Sequence, residues 1–276
     1  MSKQTPIGAG NLLPTLYRTE QNYGWSRGMR SITRVMLKQI PLPAAPIVEL
    51  GCGAGSMAAR LQSDYPDHCI CGLELSSLAL GHAQSNRTRA QNLIQADLQR
   101  LPFADDSAGT IIALDVFDQY GVELASALCE SRRVLQKDGI LLVRVSAHPQ
   151  LAGSHDHAFN TAQRHTRRSI TSALERAGFT PIRTTYANAL LSIPVAAMRL
   201  LQRHRLARLS ETDYTHAWAD RLLATMLEWE TDWLSRRDLP FGLSLFVLAC
   251  VGKAPVSPIR KEQHHQPGTN AQRTIG

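Results

Sequence analysis

Between residues 47 and 145 short apolar runs alternate with stretches of helical periodicity, and this rhythm restricts the possible folds more than any other feature. Ile47–Leu50 reads as a strand that runs into a glycine turn, followed by a helix over Ser56–Asp64. Cys69–Glu74 reads as a second strand, Leu78–Arg89 as a second helix, and Asn92–Ala96 as a third strand. Gly109–Leu114 is largely apolar and reads as a fourth strand, Leu124–Leu135 as a helix, and Ile140–Val145 as a fifth strand. Such alternation predicts right-handed βαβ units and a parallel sheet covered on both faces.

The rhythm changes after residue 147. A loop rich in His, Asp and Arg (148–166) leads to a predicted helix over Arg168–Ala177, which Gly178 closes as a C-cap glycine. Phe179–Tyr186 reads as a sixth strand and Ser244–Val251 as a last one. Between them two helical segments are expected, about Pro194–Leu209 and Asp213–Arg237. At the other end, Leu16–Ile40 has helical periodicity, and Pro41, Pro43 and Pro46 stop it. Residues 1–14 and the polar tail 254–276 read as flexible arms, which leaves one domain over 1–253.

Composition narrows the class. The 276 residues suit one large α/β domain or two small ones, and 43% hydrophobic residues can bury a sizeable core. The net charge of +7 permits nucleic-acid or membrane-surface contact without establishing it. No run of five or more basic residues occurs, so the excess reads as solvated surface and no nucleic-acid partner is expected. The five cysteines are odd in number and lack zinc-ligand spacing, which predicts reduced thiols, no metal site and a cytoplasmic location. The longest apolar runs are far too short to span a bilayer.

The glycine turn, V-E-L-G-C-G-A-G over Val48–Gly55, lets backbone approach a ligand with no Cβ in the way. It lacks the lysine of a phosphate-binding loop, and Ser56 stands where a dinucleotide fingerprint needs Gly or Ala. Its spacing is G-x-G-x-G, preceded by Glu49. Glu74, at the end of the second strand, is placed to accept hydrogen bonds from ribose hydroxyls, or it is a surface residue closing a strand. Asp97 is placed to accept from an adenine amino group beside Leu98, or it is a turn residue. All three features fall at carboxyl ends of successive strands, where open α/β sheets bind ligands.

In that order and spacing the residues resemble class I S-adenosylmethionine-dependent methyltransferases, especially small-molecule enzymes with the methyltransferase type 11 core. The resemblance covers roughly Tyr17 to Lys253. It is carried by the glycine turn, G-L-E-L-S at Gly72–Ser76, A-D-L at Ala96–Leu98 and L-P-F at Leu101–Phe103. A-L-D-V-F at Ala113–Phe117 and R-V-L-Q-K-D-G-I-L-L-V at Arg133–Val143 extend it. It implies a Rossmann-like, doubly wound seven-stranded sheet with the last strand antiparallel, and S-adenosylmethionine as cofactor. By the same resemblance Gly51, Cys52, Gly53 and Gly55 lie against the methionyl and ribose parts, and Glu49 helps hold the amino group. Glu74 and Leu75 take the ribose side, Asp97 and Leu98 the adenine, and Asp115 the methionine end. A structural carboxylate capping the next loop is the alternative for Asp115.

Y-G-W-S-R-G-M-R at Tyr23–Arg30 resembles the helical cover such enzymes place over the cofactor, expected here over 15–40. Tyr23, Trp25, Arg27 and Arg30 would then bind substrate, the alternative being a helix packed by Trp25 with solvated arginines. Residues 188–243 read as a helical lid insertion whose apolar stripe (Trp218, Leu222, Met226, Trp229, Trp233) covers a hydrophobic acceptor. A second copy of the chain is the other occupant considered for that face, giving a homodimer. Candidates for an acid or base are Asp118, Gln119, His155 and His157. Related sequences often carry histidines where Asp118-Gln119 and Asn160-Thr161 stand here. The expected activity is methyl transfer to oxygen, nitrogen or carbon of a small metabolite. RNA or protein methylation and a non-methylating cofactor-binding protein are its rivals.

Overall fold

The computed structural model describes residues 17, 23–85, 92–193, 195 and 217–252. The predicted arm 1–14, nearly all of the predicted helix 194–209 and the tail 254–276 lie outside the described residues. The elements in chain order are α1 (Gly24–Leu37), β1 (Ile47–Leu50), α2 (Ser56–Asp64), β2 (Ile70–Glu74), α3 (Ser77–Ser85) and β3 (Asn92–Gln95). They continue with β4 (Ala108–Leu114), α4 (Leu124–Val134), β5 (Leu135–Ser146), α5 (Ser154–Ala158) and α6 (Arg167–Arg176). β6 (Phe179–Ala187), α7 (Ala217–Leu234) and β7 (Ser244–Val251) complete the set.

Seven strands form one sheet in the order β3-β2-β1-β4-β5-β7-β6. β1 to β5 pair in parallel, and β7 inserts antiparallel between β5 and β6. Because side chains alternate across a strand, neighbouring residues feed two different cores. Val48, Ile111, Leu141 and Val247 join Leu128 of α4 and Ile170 of α6 on one face. Ile47, Ile112, Leu142 and Phe246 join Met29 and Ile32 of α1, Leu61 of α2 and Leu227 of α7 on the other. The fully apolar run at 111–113 follows from this two-sided burial.

Three departures from the sequence reading have physical causes. β5 begins five residues early, because fully buried Leu135 already pairs with Ala108, while charged Lys137 and Asp138 interrupt the apolar pattern before Ile140. The short helix α5 forms inside what reads as a loop. The third concerns the 188–243 segment, whose described helix α7 packs on α1. A Cβ on Gly28 would lie 2.4 Å from Leu227 Cβ, and Gly24 N–H donates to Asp220 Oδ1 at 2.7 Å. α7 buries Ala224, Leu227, Glu230 and Leu234, one step around the helix from the predicted stripe. Leu222, Trp229 and Trp233 of that stripe are exposed, Trp229 by 67%.

Candidate cofactor and acceptor site

The chain leaves β1 through three glycines with left-handed backbones: Gly51 (φ 67°), Gly53 (φ 56°) and Gly55 (φ 76°). Only glycine adopts that region freely. At Gly51 space adds a second demand, since a Cβ would come within 2.6 Å of Val116 Cγ2. The turn is fastened by Cys52 N–H to Leu73 O (3.0 Å) and Gly55 N–H to Cys52 O (2.9 Å). Gly55 occupies the N-cap of α2 with no side-chain cap, so the first amides of that helix face the turn as donors. Glu49 is buried within β1, just before the turn.

Glu74, at the end of β2, is only 9% exposed and reaches across the turn. Its Oε2 accepts Gly53 N–H at 2.9 Å and its Oε1 accepts Ser76 N–H at 2.8 Å. Each oxygen keeps a further lone pair for a hydroxyl donor. Leu75 beside it is exposed. Past β3, Asp97 Oδ1 accepts Gln99 N–H at 2.8 Å, so the turn role is realised, while Oδ2 makes no hydrogen bond among the described residues. Leu98 packs into the core. The strand ends therefore present an unhindered glycine turn, a braced carboxylate and a turn carboxylate side by side.

Asp115 follows β4 with φ 51°. Arg144 of β5 forks onto it, Nε to Oδ1 at 2.9 Å and Nη2 to Oδ2. The arginine side chain is 8% exposed and the aspartate 33%. The guanidinium also lies over the rings of Trp25 (5.3 Å) and Phe246 (5.8 Å). Trp25 of α1 thus reaches the strand ends, and Arg30 is half-buried, whereas Arg27 is exposed and Tyr23 is the half-buried residue that precedes the helix. Arg144 escaped the sequence reading. Its signal was available, because a charge inside an apolar strand must find a partner or a use.

The loops after β4 and β5 are joined. Asp118 O accepts Ala162 N–H (2.7 Å), Gln119 bridges to Thr161, and Tyr120 N–H donates to Asn160 O (3.0 Å). Gln119 Nε2 also donates to Asp115 O at 2.8 Å. Asp118 is 1% exposed; Oδ2 accepts Ser146 N–H at 2.7 Å, and Oδ1 is sealed without a partner among the described residues. Burial, reinforced by the charge of Asp115, pushes its pKa up to about 6 against the opposing hydrogen bond from Ser146. His157 is exposed and stacks on Tyr120 at 6.3 Å, with Tyr120 Oη 3.4 Å from His157 Nδ1. His155 lies two residues earlier in α5. Asp156 between them is held by a buried fork from Arg164. A recess of about 80 Å³ opens beside Tyr120, Gly153, His157, Thr161 and Gln163. Burial lowers the pKa of His165, which lies behind this loop.

This strand order, with an antiparallel seventh strand and a glycine turn after β1, defines a Rossmann-like methyltransferase fold. Residues 48–143 match the family described as a methyltransferase domain. Over those residues the chain is similar to S-adenosylmethionine-dependent methyltransferases. A malonyl-[acyl-carrier protein] O-methyltransferase of Geobacter sulfurreducens is 30% identical over 149 residues, 49% of this chain. A trans-aconitate 2-methyltransferase of Deinococcus radiodurans is 29% identical over 159 residues, 58% of this chain. The chain spans 55% and 57% of those two relatives. Among solved structures, a Haloferax volcanii complex of a methyltransferase activator with a methyltransferase matches at TM-score 0.58 and 17% identity. That match covers 89% of this chain and 100% of the other. Among the described residues no helix is long and apolar enough to cross a membrane.

Proposed function

We propose that the protein transfers the methyl group of S-adenosylmethionine to an oxygen, nitrogen or carbon of a small, hydrophobic acceptor. The observation that carries this reading is the glycine turn braced by Glu74, with Val116, the residue after Asp115, against Gly51. When bound, the cofactor supplies an electrophilic methyl on a sulfonium. Gly51, Cys52, Gly53 and Gly55, with Glu49, receive its methionyl part; Glu74 and Leu75 its ribose; Asp97 and Leu98 its adenine. Asp115 faces the methyl end. In-line displacement depends chiefly on holding donor and acceptor in register. Trp25, with Tyr23, Arg27 and Arg30, lines the acceptor side, and α7, packed on α1, completes the cover over 188–243. His157, beside Tyr120 on the joined loops, is the group placed to accept an acceptor proton. His155 shares α5 with it, and Gln119 hydrogen-bonds the Asp115 carbonyl beside the transfer site. Asp118 holds the loop junction from beneath rather than touching the acceptor.

Calorimetric titration with S-adenosylmethionine and S-adenosylhomocysteine tests the site on the wild type, Glu74→Ala and Gly53→Arg. Micromolar binding that both variants abolish supports it; a folded wild type that binds neither compound overturns it. Two relatives are named for malonyl-[acyl-carrier protein] and trans-aconitate. Methyl transfer from labelled cofactor is therefore measured first against carboxylic-acid acceptors and then against neutral apolar ones.

A further inference from the structure

Arg144 interrupts a strand whose neighbours Val143 and Val145 are fully buried. A buried charge is tolerated only when compensated, and Asp115 supplies the compensation with both oxygens. Yet the aspartate remains one-third exposed at the end of β4, and the next residue, Val116, is the one that abuts Gly51 of the cofactor turn. The pair therefore has one member sealed in the strand and the other partly exposed at the strand end, next in sequence to the residue that meets the turn. The donor cofactor carries a sulfonium charge that its product lacks.

We infer that the Asp115–Arg144 pair sets the preference of this site for the charged cofactor over its neutral product. Asp115 attracts the sulfonium, and Arg144 behind it withdraws part of that attraction, which limits trapping of the donor relative to the product. The inference rests on the methyl-transfer reading. Asp118, the other nearby carboxyl, stays the same in every variant and cancels from ratios between variants. Trp25 and Phe246, which cover the guanidinium, carry no charge.

The test is the ratio of S-adenosylmethionine to S-adenosylhomocysteine affinity at pH 8, by calorimetry, in four proteins. Net charge of the pair predicts the order: Arg144→Met highest, wild type and the Asp115→Asn/Arg144→Met double variant alike, Asp115→Asn lowest. Each unit of charge should move the ratio about tenfold, the scale of two charges in a partly exposed site. A purely structural role would weaken both compounds together and leave the ratio flat, and that result overturns the inference. Should Arg144→Met fail to fold, Arg144→Lys keeps the charge and must hold the ratio within about twofold while Asp115→Asn still lowers it. An unchanged ratio in Asp115→Asn also overturns it. A folded wild type that binds neither compound defeats the underlying methyl-transfer reading instead.

Discussion

Asp118→Asn should reverse its effect on stability between acid and neutral pH. The wild-type carboxyl is 1% exposed, with one oxygen on Ser146 N–H and the other sealed without a partner among the described residues. Its pKa rises from an ordinary 3.8 to about 6 on folding, chiefly through burial. The folded protein therefore holds this proton more tightly than the unfolded chain does. Stability from that proton is complete below the unfolded pKa and is lost as pH rises through the folded one. The loss amounts to about 3 kcal/mol by neutral pH, and about 2 kcal/mol of it falls between pH 4.5 and 8. Asparagine cannot ionise, so its unfolding free energy lacks this slope. Its Oδ1 can keep the Ser146 bond, but its Nδ2 takes the sealed position without an acceptor, at about 1–2 kcal/mol. The variant should thus be more stable than wild type by about 1–2 kcal/mol at pH 8, and equal or less stable at pH 4.5. Urea denaturation followed by tryptophan fluorescence at pH 4.5, 6 and 8 measures both curves. A stability difference that stays constant across those three pH values refutes the assignment of a raised pKa to Asp118.

Two further substitutions probe the scaffold. Gly28→Ala forces a methyl to within 2.4 Å of Leu227 Cβ, so α1 and α7 must separate; thermal or urea denaturation should show a loss of about 2–3 kcal/mol. A loss below about 0.5 kcal/mol would mean that the two helices are not in that contact. Arg164→Met leaves Asp156 buried without its fork and should cost about 3–5 kcal/mol by urea denaturation, because the stranded charge remains. Adding Asp156→Leu should restore part of that loss, whereas no recovery would argue against a stranded charge.

The sheet was legible because burial on both faces writes itself as apolar runs, and the glycine turn because its backbone demands glycine at Gly51, Gly53 and Gly55. The position of Glu74 was legible from the end of the second apolar run, whereas its hydrogen bonds to Gly53 and Ser76 were not. Less could be read where one residue serves two patterns. α7 is apolar on more than one side, so Leu222, Trp229 and Trp233 form as good a stripe as Leu227 and Leu234, and only the packing against Gly28 selects between them. Residues 148–166 hide α5 because its hold comes from the Asp156–Arg164 fork, a pairing across eight residues that periodicity does not register. Arg144 was passed over because its partner lies on the adjacent strand, 29 residues away.

The helical cover and the strand ends are mechanically one unit. Gly24 and Gly28 sit four residues apart on α1 and turn one side of the helix onto α7, where Asp220 and Leu227 meet them. Trp25, between them in sequence, points elsewhere and lies on Arg144. α7 is anchored in turn to the end of β6, where Glu230 accepts Asn188 N–H at 2.7 Å and Leu190 N–H at 2.9 Å. Arg183 of β6 holds its other end through Leu234 O and Arg237 O. A displacement of α7 therefore cannot leave Trp25 in place without breaking either the glycine contact or a buried carboxylate's hydrogen bonds. The inserted segment is thus linked, through α1 and the Trp25 ring, to the Arg144 guanidinium that forks onto Asp115.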